Sequence, residues 1–331
     1  MRPILFEVPF LGWPIYAYPF FAMVGFLVAI LLAARHSARA GFDANHALDL
    51  GLLAVVAGLL GGRVFFYIQF HDRFAGEPWY AVFEIWRGGM VYYGGFIAAT
   101  VVLFIAARRQ GLPVLRYFDT FAPMVPIGVS FGRIGCFLNG CCWGDPTPLG
   151  FPLAVQFPRQ PVPGRDDIAS PAWLDHVDHA GLSPTSELSL PVHPTQLYEW
   201  AALLAIAGLL ILFSARATRR RDGQVVALLL VLYGVARFAI ELLRGDHRTG
   251  TSLPALVLRP FLSADAIARV EEATRLTASQ NVSVLLLLCG AVLFVVAPRR
   301  GSPAIGTAGQ SASPTPVSPS TPGEKNRAGR Y

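Results

Sequence analysis

The chain has 331 residues, 53% hydrophobic and only 15% charged, with 27 Lys plus Arg against 21 Asp plus Glu and a net charge of +6. A soluble globular chain carries about 25% charge, whereas here the charges sit in short clusters between long apolar runs. That arrangement excludes a soluble enzyme, a disordered scaffold and a nucleic-acid binder, and leaves a polytopic membrane protein.

A hydrocarbon core of about 30 Å takes roughly 20 apolar residues as helix. Seven runs approach that length, at about 16–34, 48–70, 90–107, 119–138, 196–214, 225–243 and 281–297. They predict an all-α protein with seven transmembrane helices. The first run has no sizeable basic stretch before it and is followed by Arg35 and Arg39, so it reads as a retained span rather than a cleaved signal. The second carries Arg63 four residues before Tyr67, on the same helical face. The third opens on Gly88-Gly89-Met90-Val91-Tyr92-Tyr93-Gly94-Gly95. Its small residues suit close helix packing, and a flexible backbone beside two tyrosines also suits lipid entry.

Pro123, Pro126 and several glycines interrupt the fourth run. Prolines are tolerated in a membrane helix where neighbours satisfy the freed carbonyls, so one span is expected here too. It carries Arg133, with Cys136, Gly140 and Trp143 at offsets three, seven and ten. Residues 145–195, rich in Pro, Asp and His, read as an irregular extracytoplasmic loop. The fifth run is entered through His193-Pro194-Thr195-Gln196-Leu197-Tyr198-Glu199, which gathers four polar groups at a helix start. Glu199 alone is accounted for as a partner of the helix dipole. The sixth carries Tyr233, Arg237, Glu241 and Arg244 as one stripe.

Residues 245–280 form an interfacial segment. Within it 263–278 reads as a short helix capped by Ser263, with Ile267, Val270 and Ala273 on one face. The domain therefore ends near 297. Residues 298–331 are a cytoplasmic tail whose Ser, Pro, Thr and Gly cannot bury enough apolar surface to fold.

Orientation follows from Lys and Arg placement. Arg35 and Arg39 follow run one, Arg108, Arg109 and Arg116 follow run three, and Arg216, Arg219, Arg220 and Arg221 follow run five. Residues 145–195 instead hold six acids and two bases, and 244–280 hold five bases and four acids. The N-terminus is expected outside and the C-terminus in the cytoplasm.

Ionisable groups inside spans are costly and point to function. Arg63, Arg133 and Arg237 can aim at one interior point. With one acid nearby they would leave an uncompensated positive pocket suited to an anionic lipid headgroup. The plainer alternatives are a structural Arg237–Glu241 pair and an Arg63 that snorkels to the interface. A pocket of this kind serves a lipid-modifying enzyme or a non-catalytic lipid binder or transporter. The four cysteines are too few for a disulfide scaffold. Metal binding is not expected, because no four-ligand set is visible.

The segments Gly132-Arg133-Ile134-Gly135-Cys136-Phe137-Leu138-Asn139-Gly140-Cys141-Cys142-Trp143-Gly144 and His193-Pro194-Thr195-Gln196-Leu197-Tyr198-Glu199 resemble signatures of the bacterial prolipoprotein diacylglyceryl transferases. Tyr18, Tyr233-Gly234 with Arg237 and Glu241, and the residues before the last span fit the same family. The resemblance implies an inner-membrane enzyme, with its site toward the periplasm and no cofactor. It would move the diacylglyceryl group of phosphatidylglycerol to the lipobox cysteine of a prolipoprotein signal peptide. It further implies that Arg133 binds the phosphatidylglycerol headgroup and Arg237 is a second essential cation oriented by Glu241. Tyr18, Arg63, Gly94, Gly95, Asn139, Gly144 and Tyr233 would line the site, and His193 and Tyr198 would form its outer motif.

Three departures stand out. Tyr93 occupies the position where many members carry the His favoured as general base, and a tyrosine is a far poorer base near neutral pH. Cys136 stands for the usual Asn, and Cys141 for the usual acid. The cluster of Cys136, Cys141 and Cys142 is open to three readings: a disulfide or reactive thiol, small buried apolar side chains, or a related transferase that uses the thiols for a different acceptor.

Overall fold

A computed structural model describes residues 1–297 except 11, 75, 85–88, 161–168, 217–220, 246–262 and 274–275. The expected tail at 298–331 and most of the interfacial segment at 245–280 lie outside the described residues.

The chain opens with a short antiparallel hairpin, β1 (Ile4–Glu7) and β2 (Pro14–Tyr16), which the all-α expectation did not contain. β2 runs directly into α1 (Ala17–Arg39), and α2 (Ala44–Gln69) follows after a short turn. Asp43 caps α2 by accepting the Asn45 N–H at 2.9 Å. Two 3₁₀ turns, His71–Phe74 and Trp79–Phe83, lead toward α3 (Tyr92–Arg109).

The run at 119–138 is not one helix. α4 (Val114–Phe121) and α5 (Met124–Asn139) meet at a 41° bend. Pro123 sits at the break, where its missing N–H and its ring oppose helix continuation. α5 ends on Gly140 in the left-handed conformation, φ +69°. Among the described residues the further helices are α6 (Pro171–His179), α7 (Thr195–Arg216), α8 (Gln224–Glu241), α9 (Ala264–Ala273) and α10 (Ala278–Val296). Thr277 and Gln280 close a reciprocal capping box at the start of α10. The short helix expected over 263–278 is described over Ala264–Ala273.

Helices α1, α2, α7, α8 and α10 are long and apolar enough to cross a membrane, and the bent α4–α5 pair makes a sixth candidate span. This is a mostly helical, multi-pass membrane protein. α3 has 18 residues but closes on Arg108 and Arg109, which shortens its apolar stretch. It packs along α2, while α1 packs on α5 and α8 on α10. Small residues allow these contacts. A Cβ on Gly234 would meet the Ser283 carbonyl at 2.9 Å, and one on Gly95 would meet the Gly58 carbonyl at 2.8 Å.

Two satellite structures position the ends of the bundle. At one end, Asp119 of α4 is fully buried and accepts N–H groups from Gly223, Val225 and Val226 at 2.9–3.0 Å, capping α8 from another helix. Beside it Ala122, Ile206, Leu210 and Val225 form an apolar core. At the other end, the described residues of 145–195 are more regular than the irregular loop expected. They hold α6, isolated bridges that pair 146, 155 and 158 with 188–192, and a small core of Trp143, Phe157, Ala172 and Val192. Ser170 caps α6 through the Trp173 N–H.

Candidate active site

The site lies where the N-terminal ends of α1, α7 and α10 meet the C-terminal ends of α5 and α8. Buried positions on α7 are Thr195, Gln196, Glu199, Leu203, Ile206, Ala207 and Leu210, a helical stripe turned toward α5 and α8. Its first three members are polar, and each is engaged. Thr195 Oγ1 donates to the Cys142 carbonyl and Gln196 Nε2 to the Cys141 carbonyl, both at 2.8 Å. Glu199 is 3% exposed and lies between two arginines.

Arg133 Nη2 of α5 is 2.7 Å from Glu199 Oε1, and Arg237 Nη1 of α8 is 3.9 Å from Glu199 Oε2. Arg237 Nη2 in turn pairs with Glu241 Oε2 at 2.6 Å, one helical turn along α8. Glu241 Oε1 accepts the Thr277 hydroxyl at 2.8 Å, which ties the start of α10 to the cluster. The pocket is therefore not the uncompensated positive one expected. Two guanidinium groups face two carboxylates, and Glu199 supplies the charge that the sequence reading assigned to the helix dipole.

Neutrality leaves functional capacity. Arg237 Nη1 is buried without a hydrogen-bond partner among the described residues, and a buried N–H in that state favours an incoming acceptor. The Arg133 side chain keeps 17% exposure, the most in the cluster.

Arg63 does not converge on this point. It is buried, and its Nε, Nη1 and Nη2 donate to the carbonyls of Val82, Gly89 and Ala81 at 3.0–3.1 Å. The rings of Phe66 and Phe74 flank it at 5.5 Å. Arg63 thus ties the segment between α2 and α3 to α2, which corrects both the shared-pocket and the snorkelling readings. Gly94 and Gly95 are close-packing residues on α3: added Cβ atoms would meet the Gly61 and Gly58 carbonyls at 2.8 Å.

Tyr92 lies within electrostatic reach of Arg133, Glu199, Arg237 and Tyr233, and the residue is 58% exposed. Tyr93 stands beside it, ring centroids 5.8 Å apart. Tyr233 of α8 belongs to the same group. Tyr18 is held against α5 by Gly135, whose Cβ would come within 2.9 Å of the Tyr18 Cα. Its phenol lies within electrostatic reach of Arg133 and the three cysteines.

The turn after α5 is clamped from both sides. Gly144 N–H donates to the His193 carbonyl at 2.9 Å, His193 N–H to the Asp145 carbonyl at 3.1 Å, and Gly245 N–H to the Trp143 carbonyl at 3.2 Å. A Cβ on Gly144 would meet His193 Cβ, the His193 carbonyl and the Leu243 carbonyl, each at 2.7 Å. His193 Nδ1 and the Tyr198 hydroxyl share a 3.3 Å hydrogen bond, and Phe151 lies edge-on to the imidazole at 4.8 Å. Among the described contacts, His193 thus engages Tyr198 and Phe151.

Within this turn Cys136, Cys141 and Cys142 converge, with their sulfurs all within 4.8 Å of one another. All are free thiols. Asn139, the last residue of α5, reaches the Cys141 thiol. Hydrogen bonds from Cys136 and Cys141, then the nearby Arg244 and Arg133 guanidinium groups, push the Cys142 thiol well below its ordinary value.

The fold and site describe a multi-pass membrane protein with a buried arginine–carboxylate cluster opening on a thiol-rich turn. A family model described as "Prolipoprotein diacylglyceryl transferase" matches residues 3–296. The chain belongs to this family. Relatives named phosphatidylglycerol–prolipoprotein diacylglyceryl transferase include one from Clostridium tetani, 30% identical over 76% of this chain and 89% of that protein. Another, from Burkholderia multivorans, is 36% identical over 67% of this chain and 76% of its own length. A third, from Neisseria meningitidis, is 32% identical over 80% of this chain and 92% of its own.

Proposed function

We propose that this chain transfers the diacylglyceryl group of phosphatidylglycerol to the lipobox cysteine of prolipoproteins. The observation that carries the reading is the buried chain Arg133–Glu199–Arg237–Glu241 beside the cysteine-rich turn. The acceptor thiolate attacks the glycerol carbon bonded to phosphate, a thioether forms, and the C–O electron pair leaves with glycerol phosphate. Arg133, the most exposed member, holds the phosphodiester, and Arg237 offers Nη1 to the departing phosphate oxygen. Glu199 and Glu241 fix both guanidinium planes, so that positive charge is already aimed where negative charge develops.

Tyr18, Asn139, Gly144 and Tyr233 border the reaction space, and Tyr92 joins them. Tyr93, whose ring stands edge-on to that of Tyr92, takes a positioning role. His193 and Tyr198 receive the signal peptide at the outer rim. Glycine packing of Gly94 and Gly95 against α2, with Arg63 beneath, shapes the path by which lipid arrives.

The enzyme acts in the bacterial inner membrane with seven spans, α3 counted among them, the N-terminus outside and the C-terminus cytoplasmic. What supports this is that the cluster lies at one end of the helices, while Arg35, Arg39, Arg108, Arg109 and Arg216 lie at the opposite ends. The test is restoration of lipoprotein modification in cells depleted of their own transferase. Growth and lipidation return if the reading holds. A stably expressed, membrane-inserted chain that restores neither would remove it.

A further inference from the structure

The proposed reaction needs a cysteine thiol to become a thiolate, and the glycine-rich segment offers the tyrosines Tyr92 and Tyr93 rather than an imidazole. The same chain gathers three thiols at the reaction space. We propose that Cys136, Cys141 and Cys142 form a three-thiolate site for a zinc-class metal ion, whose open fourth position takes the acceptor cysteine. The inference rests on the transferase reading above.

The geometry favours a metal over the other fates of three thiols. Ligand sulfurs about 2.3 Å from a tetrahedral ion stand about 3.8 Å apart, and these three already lie within 4.8 Å of one another. A disulfide would use two and strand the third. Convergence depends on the backbone: Gly140 turns left-handed at φ +69°, and Cys142 adopts φ +64° without being glycine. Thr195 and Gln196 hold that turn by its Cys142 and Cys141 carbonyls. A non-glycine residue kept at positive φ is a conformation that surrounding structure must enforce, and such positions cluster at functional sites. Cys136 is buried while Cys141 and Cys142 are partly exposed, so the site is backed by protein on one side and open on the other.

Three protein ligands with one open position is the arrangement of a catalytic zinc rather than a structural one. The sequence-level objection, the lack of a fourth ligand, therefore does not apply. Three thiolates around a divalent ion carry one net negative charge, and Arg133 and Arg244 lie within electrostatic reach of the Cys142 sulfur. A coordinated thiol is deprotonated outright. The acceptor R–SH thus binds the metal and releases its proton to water. The bound sulfur's electron pair forms the C–S bond as the C–O bond to phosphate breaks. Glycerol phosphate leaves with that oxygen and its pair, and the neutral thioether, a weaker ligand, departs from the ion. No electron is gained or lost, and no oxidant is needed.

The experiment uses the full chain, purified in detergent with its thiols reduced, loaded with Zn²⁺ or Cd²⁺ and assayed with phosphatidylglycerol and a lipobox peptide. One ion per chain is expected. Cd²⁺ should give a thiolate charge-transfer absorption and protect three of the four cysteines from maleimide, leaving Cys289 reactive. Chelation should lower thioether formation by about a hundredfold, and Zn²⁺ should restore it. Cys289→Ser should keep both metal and activity, whereas Cys136→Ser/Cys141→Ser/Cys142→Ser should lose the ion. Full turnover by chelated, metal-free wild-type protein overturns the metal site and leaves the transferase reading intact. So does unchanged labelling of all four thiols in the presence of Cd²⁺, a measurement that requires no variant to fold. Absence of product from metal-loaded protein overturns the transferase reading and the catalytic role of the ion with it.

Discussion

Arg133 of α5 and Glu199 of α7 form a 2.7 Å ion pair whose carboxylate also faces Arg237 of α8. Glu199 therefore sets the distance between two cations that would otherwise repel. Removing one partner of a buried pair typically costs about 3–5 kcal/mol, because the survivor is left uncompensated. Glu199→Gln is expected to lower thermal stability and to reduce diacylglyceryl transfer by at least about tenfold. Melting of the detergent-solubilised protein and a peptide lipidation assay check the two effects separately.

Arginine geometry matters as well as charge. A planar guanidinium serves a carboxylate and a phosphodiester together, which a lysine ammonium does not. Arg237→Lys should keep the pair with Glu241 in part but lose about a hundredfold in transfer rate, the scale of losing one preorganised donor. Activity close to wild type in this variant would show that Arg237 contributes charge alone.

Gly144 is confined by His193 on one side and Leu243 on the other, with backbone carbonyls of both at 2.7 Å from an added Cβ. Gly144→Ala should displace the turn that carries Cys141 and Cys142. Overpacking of this kind costs about 1–3 kcal/mol. A drop in transfer larger than the drop in stability is the expected signature, measured by activity at a temperature where the variant remains folded.

Asp119 offers a contrast, since it caps the start of α8, the end opposite Arg237 and Glu241. Asp119→Ala strips a buried carboxylate from three N–H groups at the start of α8. Charged hydrogen bonds of this type contribute about 1.5–3 kcal/mol each at most, so the melting temperature should fall. The rate per folded molecule should stay near wild type.

The tyrosine pair separates two assignments. Tyr92→Phe should reduce transfer more than Tyr93→Phe, because Tyr92 lies within electrostatic reach of Arg133 and Arg237. A larger loss at Tyr93 would return the base role to the position that the family resemblance indicates.

Much of this was legible in the residues, and the rest fails to be for physical reasons. Apolar runs mark the spans because burial in lipid demands about 20 consecutive apolar residues. The break at Pro123 was visible as a proline, yet whether neighbours absorb it depends on tertiary packing. Arg133, Arg237 and Glu241 stood out as charges within apolar runs. Glu199 did not, because at a helix N-terminus an acid has a local explanation and its true partners lie on helices more than thirty residues away. The three cysteines were adjacent in sequence, but their convergence follows from the positive φ of Gly140 and Cys142, which composition does not reveal. Arg63 misled for the opposite reason: its Nε, Nη1 and Nη2 donate to backbone carbonyls, which no side-chain pattern announces. Comparison with relatives adds the substrate names.

The most direct test supplies purified protein with phosphatidylglycerol and a lipobox peptide and follows the peptide by mass. The account predicts a diacylglyceryl thioether on the peptide cysteine with one glycerol phosphate released per turnover. In folded Arg133→Ala protein that product should fall by at least about a hundredfold. Equal product from Arg133→Ala and wild type would contradict the account.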